Sequence, residues 1–557
     1  ADPLLMAWKA LLANQCHDSI GGCASDKVHR DMEQRFRKSL EIGNALIKRA
    51  LMKLASGIDC RRIPADSIGL CVFNPLARPR GELVECYVIF PKECGISAPS
   101  VFTTDNMEIP CVVEKRENWT ANVEKFGMDV HAFTECLAWK VKFFADAIPS
   151  LGWKTFYIGN SGKKPEKRTA VTLPSVMENS YLRARINRNG TIDLEHRQTG
   201  RVTRGLHYFE DRGECGGPWH SGILPSDKPF TTMKCRATVR SIEESDFVSV
   251  REISLKFNLP ADITPDQKGR MKKLVALPIT TRVTLKKQSD VLEFETTLSN
   301  NVRNHRLRVM FPSGLRHAKT AEAQGQFDVL SRQIIPIDKS DYTINGGDLL
   351  PGTLHAPVCT HPQVSFMDIS DGKYGLGILN DGICEYETID DRSRTVALTL
   401  LRSFPRLKLM KTYIEAKDGQ CFGEGTFRYA LYPHRGNWEK SDIHHRADCF
   451  NVPPQVLQFL SDGKAGTLPL GHSLLEIKGA IVDCVKKAER NNNILLRIHN
   501  PHGAARKFEI ICAKRIRKAW LCNLNEERRS ALKAGRKSIS STIAPKKILT
   551  IEIASPH

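Results

Sequence analysis

The sequence lacks closely spaced cysteine pairs. Its 17 cysteines are scattered singly from Cys16 to Cys522, and no C-x-x-C motif occurs. Zinc ribbons and disulfide frameworks need paired cysteines, so both classes of protein are excluded. Reduced thiols are typical of a reducing compartment, and we therefore expect a cytoplasmic protein. Two glycosylation sequons, at Asn118 and Asn189, leave secretion as the alternative.

Long apolar runs and an export signal are also missing. No stretch approaches the roughly 20 apolar residues that cross a bilayer, so we expect no membrane partner. The chain begins Ala-Asp-Pro-Leu-Leu-Met-Ala-Trp-Lys, without an initiator methionine and without a basic stretch ahead of an apolar core. We therefore expect a chain that is processed or cut from something longer.

The composition is that of a globular protein with a basic balance. Of 557 residues, 41% are hydrophobic and 26% charged, and 82 Lys and Arg against 62 Asp and Glu give a net charge of +20. This length predicts about three to five domains. Between Arg506 and Lys547 there are 13 basic and 3 acidic residues. Because no RNP-like pattern, helix-turn-helix or zinc-finger spacing accompanies the charge, solvated surface is the better interpretation and a nucleic-acid partner is not expected.

The hydrophobic period changes along the chain. Up to about residue 55 it is helical, with Gly21-Gly22 as an interruption and Ser25-Asp26 as the N-cap of a second helix. Beyond that it is close to two, and the segments 279–285 and 291–298 predict a hairpin. A later helix is predicted near 483–489. We therefore expect a mainly β protein: a helical-bundle remnant followed by β-sandwich domains.

The predicted division has four parts. Residues 1–58 form a helical-bundle segment, 66–160 a small β-sandwich, 168–440 a large β-supersandwich and 450–557 a C-terminal β-domain. Two helices alone bury little apolar surface, so the first part is expected to belong to a larger bundle.

One segment is more informative than the rest: Asn14-Gln-Cys-His-Asp-Ser-Ile-Gly-Gly-Cys23. It places His17 and Asp18 in a glycine-rich break between two helices. A neutral imidazole is a good zinc ligand, and an adjacent carboxylate can grip sugar hydroxyls or orient a site. The alternative is that both residues only cap a helix end.

Two other metal sites can be weighed against this pair. Cys16, His17 and Cys23 lack a fourth ligand at workable spacing. His29 and Asp31 lie two positions apart, about 200° around a helix, so they cannot hold one ion. We therefore assign a metal site to neither of these two sets of residues.

The motifs resemble those of glycoside hydrolase family 38, the zinc-dependent α-mannosidases, and most of all the bacterial branch that includes mannosylglycerate hydrolase. The resemblance runs in order along the chain: Trp8 to Met32, Val72-Phe-Asn-Pro-Leu-Ala-Arg-Pro-Arg80, Ser150 to Ile158, Thr399-Leu-Leu-Arg-Ser403, Gly419 to His434, Asn493 to Pro501 and Ala544 to Ile551.

The resemblance implies a fold, a mechanism and three site residues. The family hydrolyses terminal α-mannosides with retention, through a glycosyl-enzyme intermediate and with a zinc cofactor. His17 matches a zinc-ligand histidine, Asp18 a sugar-binding aspartate, and Arg402 an arginine of the sugar pocket. A mannoside is the implied substrate, and a homo-oligomer stays open.

The family's other zinc ligands, a His-x-Asp pair, and both of its catalytic aspartates lie in an N-terminal α/β barrel, which matches nothing in this chain. We therefore assign no catalytic residue and expect this chain alone to be inactive. The helical face carrying Leu5, Trp8, Met32 and Phe36 is expected to be exposed.

Two hypotheses from other classes stay open beside the enzyme: a non-catalytic carbohydrate-binding or assembly module, and a basic nucleic-acid-binding protein. The Lys and Arg excess would suit an anionic aglycone such as glycerate.

Overall fold

Four α-helices occur in the described part of the chain, and three of them lie in its first 55 residues. The computed structural model describes residues 2–65, 67–124, 131–161, 175–219, 221–222, 224–335, 359–404, 406–409 and 412–554. The helices are α1 (Pro3–Ala13), α2 (His17–Ile20), α3 (Asp26–Ala55) and α4 (Ile443–Asn451). None of these helices combines the length and apolar character needed to cross a membrane.

Strands make up most of the rest, which confirms the mainly β prediction. The strands before residue 161 are β1 (Ile68–Asn74), β2 (Arg80–Pro91), β3 (Pro99–Thr103), β4 (Glu108–Ile109), β5 (Cys111–Glu124), β6 (His131–Ile148) and β7 (Gly152–Asn160). The strands between residues 175 and 335 are β8 (Val176–Glu178), β9 (Leu182–Ile186), β10 (Ile192–His196), β11 (Arg201–Leu206), β12 (Tyr208–Gly213), β13 (Phe230–Thr231), β14 (Thr238–Glu244), β15 (Val248–Pro260), β16 (Leu274–Lys286), β17 (Leu292–Asn300), β18 (His305–Pro312), β19 (Thr320–Gly325) and β20 (Asp328–Gln333).

Two further groups complete the fold. The strands between residues 359 and 435 are β21 (Thr360–Pro362), β22 (Phe366–Ser370), β23 (Tyr374–Asp381), β24 (Glu385–Thr388), β25 (Thr395–Arg402), β26 (Arg406–Leu409), β27 (Thr412–Glu415) and β28 (Gly423–Arg435). The strands after α4 are β29 (Gln455–Leu460), β30 (Gly471–Ser473), β31 (Leu475–Lys478), β32 (Ile481–Lys487), β33 (Ile494–Asn500), β34 (Arg506–Cys512), β35 (Lys518–Cys522), β36 (Arg528–Leu532), β37 (Ser538–Ile543) and β38 (Lys547–Ala554).

The chain forms two compact units, each made of two separate segments. The first unit contains Ala1–Ile47 and Thr169–Asn451, and the second contains Lys48–Arg168 and Val452–His557, so the division falls inside α3. The four-part division of the sequence stays a prediction. Asp66 and Arg168, the predicted first residues of the two sandwich domains, lie outside the described residues.

The first unit is a large sandwich. A nine-stranded sheet has the order β14-β15-β16-β17-β28-β23-β22-β19-β20, and a six-stranded sheet has the order β13-β12-β18-β25-β24-β21. A four-stranded sheet, β11-β10-β9-β8, contributes to the same core. Alternating side chains of these sheets fill that core; in β17, for example, Leu292 and Phe294 are buried. This alternation is what the two-residue period predicts.

The second unit contains a small core that includes Ile58 and Trp153, and two larger cores that lie between sheets. One lies between the sheet β29-β1-β7-β3-β4 and the three strands β2-β6-β5, and includes Val88 and Phe143. The other lies between β31-β34-β37 and β32-β33-β38-β35-β36, and includes Ile498 and Ile510. Gly152 packs so closely on the neighbouring strand that a Cβ there would overlap the carbonyl oxygen of His472.

The predicted hairpin is confirmed, and the predicted late helix is wrong. β16 and β17 pair antiparallel, with Ile279 opposite Leu298. Of the segment predicted as a helix at 483–489, residues 483–487 instead belong to β32, which pairs with β33. Its Lys, Ala and Glu residues favour a helix locally, but cross-strand packing of the preceding apolar residues decides the structure. The helix in this part of the chain is α4, before Val452.

The predicted exposure of the helical face is half right. Leu5 and Trp8 are 52% and 51% exposed, but Met32 is only 6% exposed and Phe36 is half-buried. Asn14 is fully buried and donates from Nδ2 to the Met32 carbonyl oxygen over 2.9 Å. This bond holds the end of α1 against α3.

Candidate active site

The glycine-rich turn between α1 and α3 presents the predicted pair to solvent. The Cys16 carbonyl accepts from the amides of Ser19 and Ile20, which closes the single turn of α2. Gly21 is required there because a Cβ would lie 2.6 Å from the His17 carbonyl oxygen, and Gly22 has a φ of +73°. The two glycines therefore let the chain reverse tightly after His17.

His17 and Asp18 lie together, as the motif predicts. His17 Nε2 is 3.2 Å from Asp18 Oδ1, and their side chains are 90% and 59% exposed. The Cys23 thiol lies 3.4 Å from the same Asp18 oxygen and donates to it. Burial, followed by the hydrogen bond to Asp18, raises the pKa of Cys23. The thiol therefore stays protonated near neutral pH and orients the carboxylate beside His17.

Arg402 stands at the end of β25 and holds a loop rather than contacting the pair directly. Its Nη1 donates to the Gly217 carbonyl over 2.7 Å and its Nη2 to the Pro218 carbonyl over 3.1 Å. The side chain of Trp219, the next residue of that loop, lies near the Cys23 thiol and acts to lower its pKa. Arg402 is thus linked to the Asp18 carboxylate through the loop, Trp219 and the Cys23 thiol.

A buried carboxylate fixes the shape of the same loop, which we call the 214–222 loop. Glu214 is only 1% exposed and accepts from the amides of Gly216 and Gly222 over 2.7 and 2.6 Å. The Ser221 hydroxyl donates to its second oxygen over 2.6 Å. A carboxylate with three donors of this kind is held firmly, so the loop that Arg402 grips has a defined backbone.

The start of α3 is tied to a second loop of the first unit. Asp26 Oδ2 accepts from the backbone amides of Lys417 and Asp418, over 2.9 and 3.2 Å. Arg30 Nε in turn donates to the Asp418 carboxylate over 2.9 Å. These contacts fix the helix that follows the His17 turn.

The sequence reasoning did not identify Trp219, Asp26 or Asp418 as part of this neighbourhood. Gly216-Gly217-Pro218 marks a turn in the sequence, but nothing local indicates that the following Trp219 lies near Cys23. The contacts of Asp26 with the loop nearly 400 residues later had no local signal.

The residue types at the turn fit zinc, but their number does not. Zinc in proteins takes three or four ligands from His, Cys, Asp or Glu. His17 and Asp18 offer one nitrogen and one carboxylate, and no group of three such side chains placed to hold an ion occurs among the described residues. The described residues alone therefore do not complete a zinc site.

The fold matches those of two solved proteins from Enterococcus faecalis. It superposes on an α-mannosidase from Enterococcus faecalis V583 with a TM-score of 0.86 at 24% identity, covering 98% of this chain and 63% of that one. A glycosyl hydrolase family 38 protein, also from Enterococcus faecalis, gives a TM-score of 0.83 at 23% identity, covering 99% and 66%. At these identities the likeness shows the fold.

Three segments of the chain match known family domains. The Alpha mannosidase middle domain matches residues 2–54, the Glycosyl hydrolases family 38 C-terminal domain matches 177–406, and the family's C-terminal beta sandwich domain matches 479–551. The chain belongs to glycosyl hydrolase family 38, of which it carries the middle and C-terminal domains. The predicted resemblance is thereby confirmed.

Curated relatives agree with this assignment. The putative mannosylglycerate hydrolase of Halalkalibacterium halodurans is 25% identical over 98% of this chain and 62% of its own length. Alpha-mannosidase 2C1 of Mus musculus is 27% identical over 29% of this chain and 15% of its own length. The chain thus spans less than two thirds of the relatives it matches.

Proposed function

We propose that this chain is the C-terminal part of a retaining, zinc-dependent α-mannosidase that hydrolyses terminal α-mannosides, with mannosylglycerate as the candidate substrate. The observation that supports this most directly is the solvent-facing His17–Asp18 pair, 3.2 Å apart, on the turn of the matched middle domain. The α-mannosidase names of the relatives support the substrate class.

In this proposal the three predicted residues have separate tasks. His17 supplies one zinc ligand, and zinc when bound grips vicinal sugar hydroxyls. Asp18, oriented by the Cys23 thiol, accepts hydrogen bonds from the sugar. Arg402 sets the 214–222 loop and with it Trp219, whose side chain is 44% exposed and gives the sugar an apolar wall.

The proposal places the remaining zinc ligands and both catalytic carboxylates outside these 557 residues. Retaining hydrolysis needs two carboxyl groups about 5–5.5 Å apart across the scissile bond. One exposed carboxylate beside a histidine serves at most one of these tasks. We therefore expect the chain alone to be inactive.

The exposed apolar side chains of α1 fit the same proposal. Leu4, Leu5, Trp8 and Leu12 are all more than half exposed, at 53%, 52%, 51% and 60%. Apolar side chains grouped in this way mark a surface that another part of a protein covers. In the complete enzyme we expect that surface to be buried.

A cytoplasmic location is part of the proposal. All 17 cysteines are free thiols. Burial raises the pKa of Cys86 to about 12, so this thiol is inert to exchange. Free thiols in this number are expected where disulfides do not form.

Activity measurements test the proposal. We would assay the 557-residue chain and the product of the complete reading frame that contains it on an aryl α-mannoside, with added zinc. The complete product should hydrolyse the α-mannoside but not the β-anomer, and the 557-residue chain should show only background. Turnover by the chain alone would place the catalytic carboxylates inside it. An inactive complete product that still binds mannosides would favour a carbohydrate-binding module.

Zinc content tests the role of His17. In the complete product, His17→Ala should remove one ligand, so the bound zinc per protein should fall well below one equivalent and hydrolysis by at least about 100-fold. His29→Ala is the matched control, because His29 lies nearby at the start of α3 and is excluded by its helical spacing. Equal zinc and equal rate in the two variants would show that His17 is only structural.

A further inference from the structure

Three arginines stand side by side across neighbouring strands of the first unit. In the six-stranded sheet Arg212 of β12 is opposite Arg306 of β18, and Arg306 is opposite Arg402 of β25. Their neighbours Leu307 and Leu401 point into the core, so the three arginines share the outer face. Directly opposite side chains have Cβ atoms about 4.5–5.5 Å apart, and like charges so placed repel each other unless they are neutralised.

The two outer arginines of this row are neutralised. Arg212 Nε donates to Glu210 Oε1 over 3.2 Å. Arg402 donates to two carbonyls of the 214–222 loop, and its Nη1 is 3.8 Å from Glu214. Each of them therefore has a partner for its charge.

The central arginine, Arg306, has no such partner among the described residues. Arg306 is only 9% exposed. Within the described part of the chain its guanidinium takes part in no hydrogen bond and no ion pair. Burial, followed by the charge of Arg308, lowers its pKa from the ordinary arginine value. A buried cation without a partner is costly to maintain, so its presence calls for an explanation.

The nearby carboxylates are committed elsewhere. Glu387 pairs with Arg308, and the Thr399 hydroxyl donates to Glu385 over 2.6 Å. Glu214 accepts its three hydrogen bonds within the loop. They contribute to the field at Arg306 without occupying its donors.

The row is connected to the candidate site through Arg402 and the 214–222 loop. Arg402, the immediate neighbour of Arg306, holds the loop whose Trp219 contacts Cys23, and Cys23 donates to Asp18. A continuous series of contacts inside the first unit thus joins the row to the sugar-binding aspartate.

We propose that Arg306 is an oxyanion-binding residue that receives the carboxylate of an anionic aglycone, which makes it a specificity-determining residue. The planar guanidinium matches a carboxylate with two parallel hydrogen bonds, and burial strengthens the pairing. The proposal rests on the proposed function for the identity of the ligand, but not for the existence of the oxyanion site.

Binding to the 557-residue chain tests the site without requiring hydrolysis. Calorimetric titration with D-glycerate, with inorganic phosphate and with uncharged glycerol should show binding of an oxyanion and none of glycerol. Tighter binding of glycerate than of phosphate would support a carboxylate site, whereas binding of phosphate alone would overturn the carboxylate assignment. Arg306→Gln should weaken glycerate binding at least about 10-fold, as expected for the loss of a bidentate charged pair. Arg240→Gln is the matched control, because Arg240 is an exposed strand arginine of the same unit.

Folding of the variant is checked by its thermal midpoint. Since no described residue pairs with the Arg306 guanidinium, Arg306→Gln should unfold at the same temperature as the natural chain or higher. If the thermal midpoint falls instead, Arg306→Lys replaces it as the test, because lysine keeps the charge but not the paired donors. Unchanged glycerate binding in Arg306→Lys would overturn the proposal. Wild-type binding of glycerate that survives Arg306→Gln would overturn it as well.

Kinetics of the complete product separate this inference from the proposed function. Arg306→Gln should lower kcat/KM for mannosylglycerate at least about 10-fold and leave that for methyl α-mannoside within a factor of two. Equal losses on both substrates would assign Arg306 a structural role. An enzyme without α-mannosidase activity would refute the proposed function, while the titrations would still decide the oxyanion site.

Discussion

Acidification from pH 7 to pH 5 should remove stability that one buried histidine of the first unit contributes. His207 is 2% exposed and its ring stacks on Phe294 at 4.8 Å between centroids. Its Nε2 is 2.8 Å from the Tyr429 hydroxyl, which is in turn 2.6 Å from the Thr296 hydroxyl. Among the described residues no carboxylate pairs with this imidazole, and burial lowers its pKa from 6.5 to about 3.

The sign and size of the effect follow from that difference. Between pH 6.5 and about 3 the unfolded chain binds a proton at His207 and the folded chain does not, so stability falls as the pH falls through this window. At pH 5 nearly all of the unfolded chains are protonated there. The loss between pH 7 and pH 5 from this one group is about 2 kcal/mol.

Urea unfolding of the chain and of His207→Asn at both pH values measures the loss. Asparagine suits the site because His207 has a φ of +66°, a conformation that asparagine tolerates. The variant is expected to start less stable, but to lose about 2 kcal/mol less than the natural chain between pH 7 and pH 5. His317→Asn, at an exposed position, should leave the pH dependence unchanged. Equal losses in the natural chain and in His207→Asn would refute the reasoning.

A second buried histidine changes stability with the opposite sign. Burial opposes the charged form of His434, but the Asp368 carboxylate 2.8 Å from Nε2 outweighs it and raises the pKa. The stability it contributes is fully present below the unfolded pKa of 6.5 and is lost as the pH rises through the folded value. The His434–Asp368 pair is present in both the natural chain and His207→Asn. Its contribution therefore cancels when the stability losses of these two chains between pH 7 and pH 5 are compared.

Two further predictions concern anchoring and packing. Asp26→Ala should speed amide hydrogen exchange of Lys417 and Asp418 by up to about 30-fold, since two hydrogen bonds of about 1 kcal/mol each are lost. Asp26→Asn keeps an acceptor oxygen and should speed the exchange less. Unchanged exchange in the alanine variant would show that Asp26 is not the anchor. Gly152→Ala should lower the free energy of unfolding by more than about 2 kcal/mol, because the backbone must move to make room for the Cβ. Gly503→Ala is the control: a Cβ there meets no other atom, so the free energy of unfolding should change by less than about 0.5 kcal/mol. Similar effects at the two glycines would contradict the close approach at Gly152.

The strands were predictable where one face of a sheet is buried, because alternation then appears in the sequence. The hairpin of β16 and β17 is such a case. The helix predicted near 483–489 fails because Lys, Ala and Glu favour a helix by local propensity, whereas pairing with β33 is a tertiary effect. α4 follows no strong local signal either, and its apolar residues, such as Ile443 and Phe450, are buried on one side.

The candidate site likewise has one part that the sequence predicts and one part that only the fold reveals. His17 and Asp18 are neighbours in the chain and a glycine pair follows them, so their proximity could be predicted from the motif. The hydrogen bonds of Arg402 to Gly217 and Pro218 join residues about 185 positions apart and could not. The sequence indicates which residue is polar in a strand, but the fold determines what that residue contacts.

The two-segment construction of the second unit has a consequence for how the chain is made. β1 is hydrogen-bonded to β7 on one side and to β29 on the other, with Ile68 opposite Leu460. At about 5–20 residues per second a ribosome needs roughly 20–80 s to make the intervening chain. During that time one edge of β1 lacks its partner and can pair with other nascent chains. Production of this protein therefore depends on protecting that strand edge, and slower synthesis or scarce chaperones should lower its yield before any contact of the finished fold is altered.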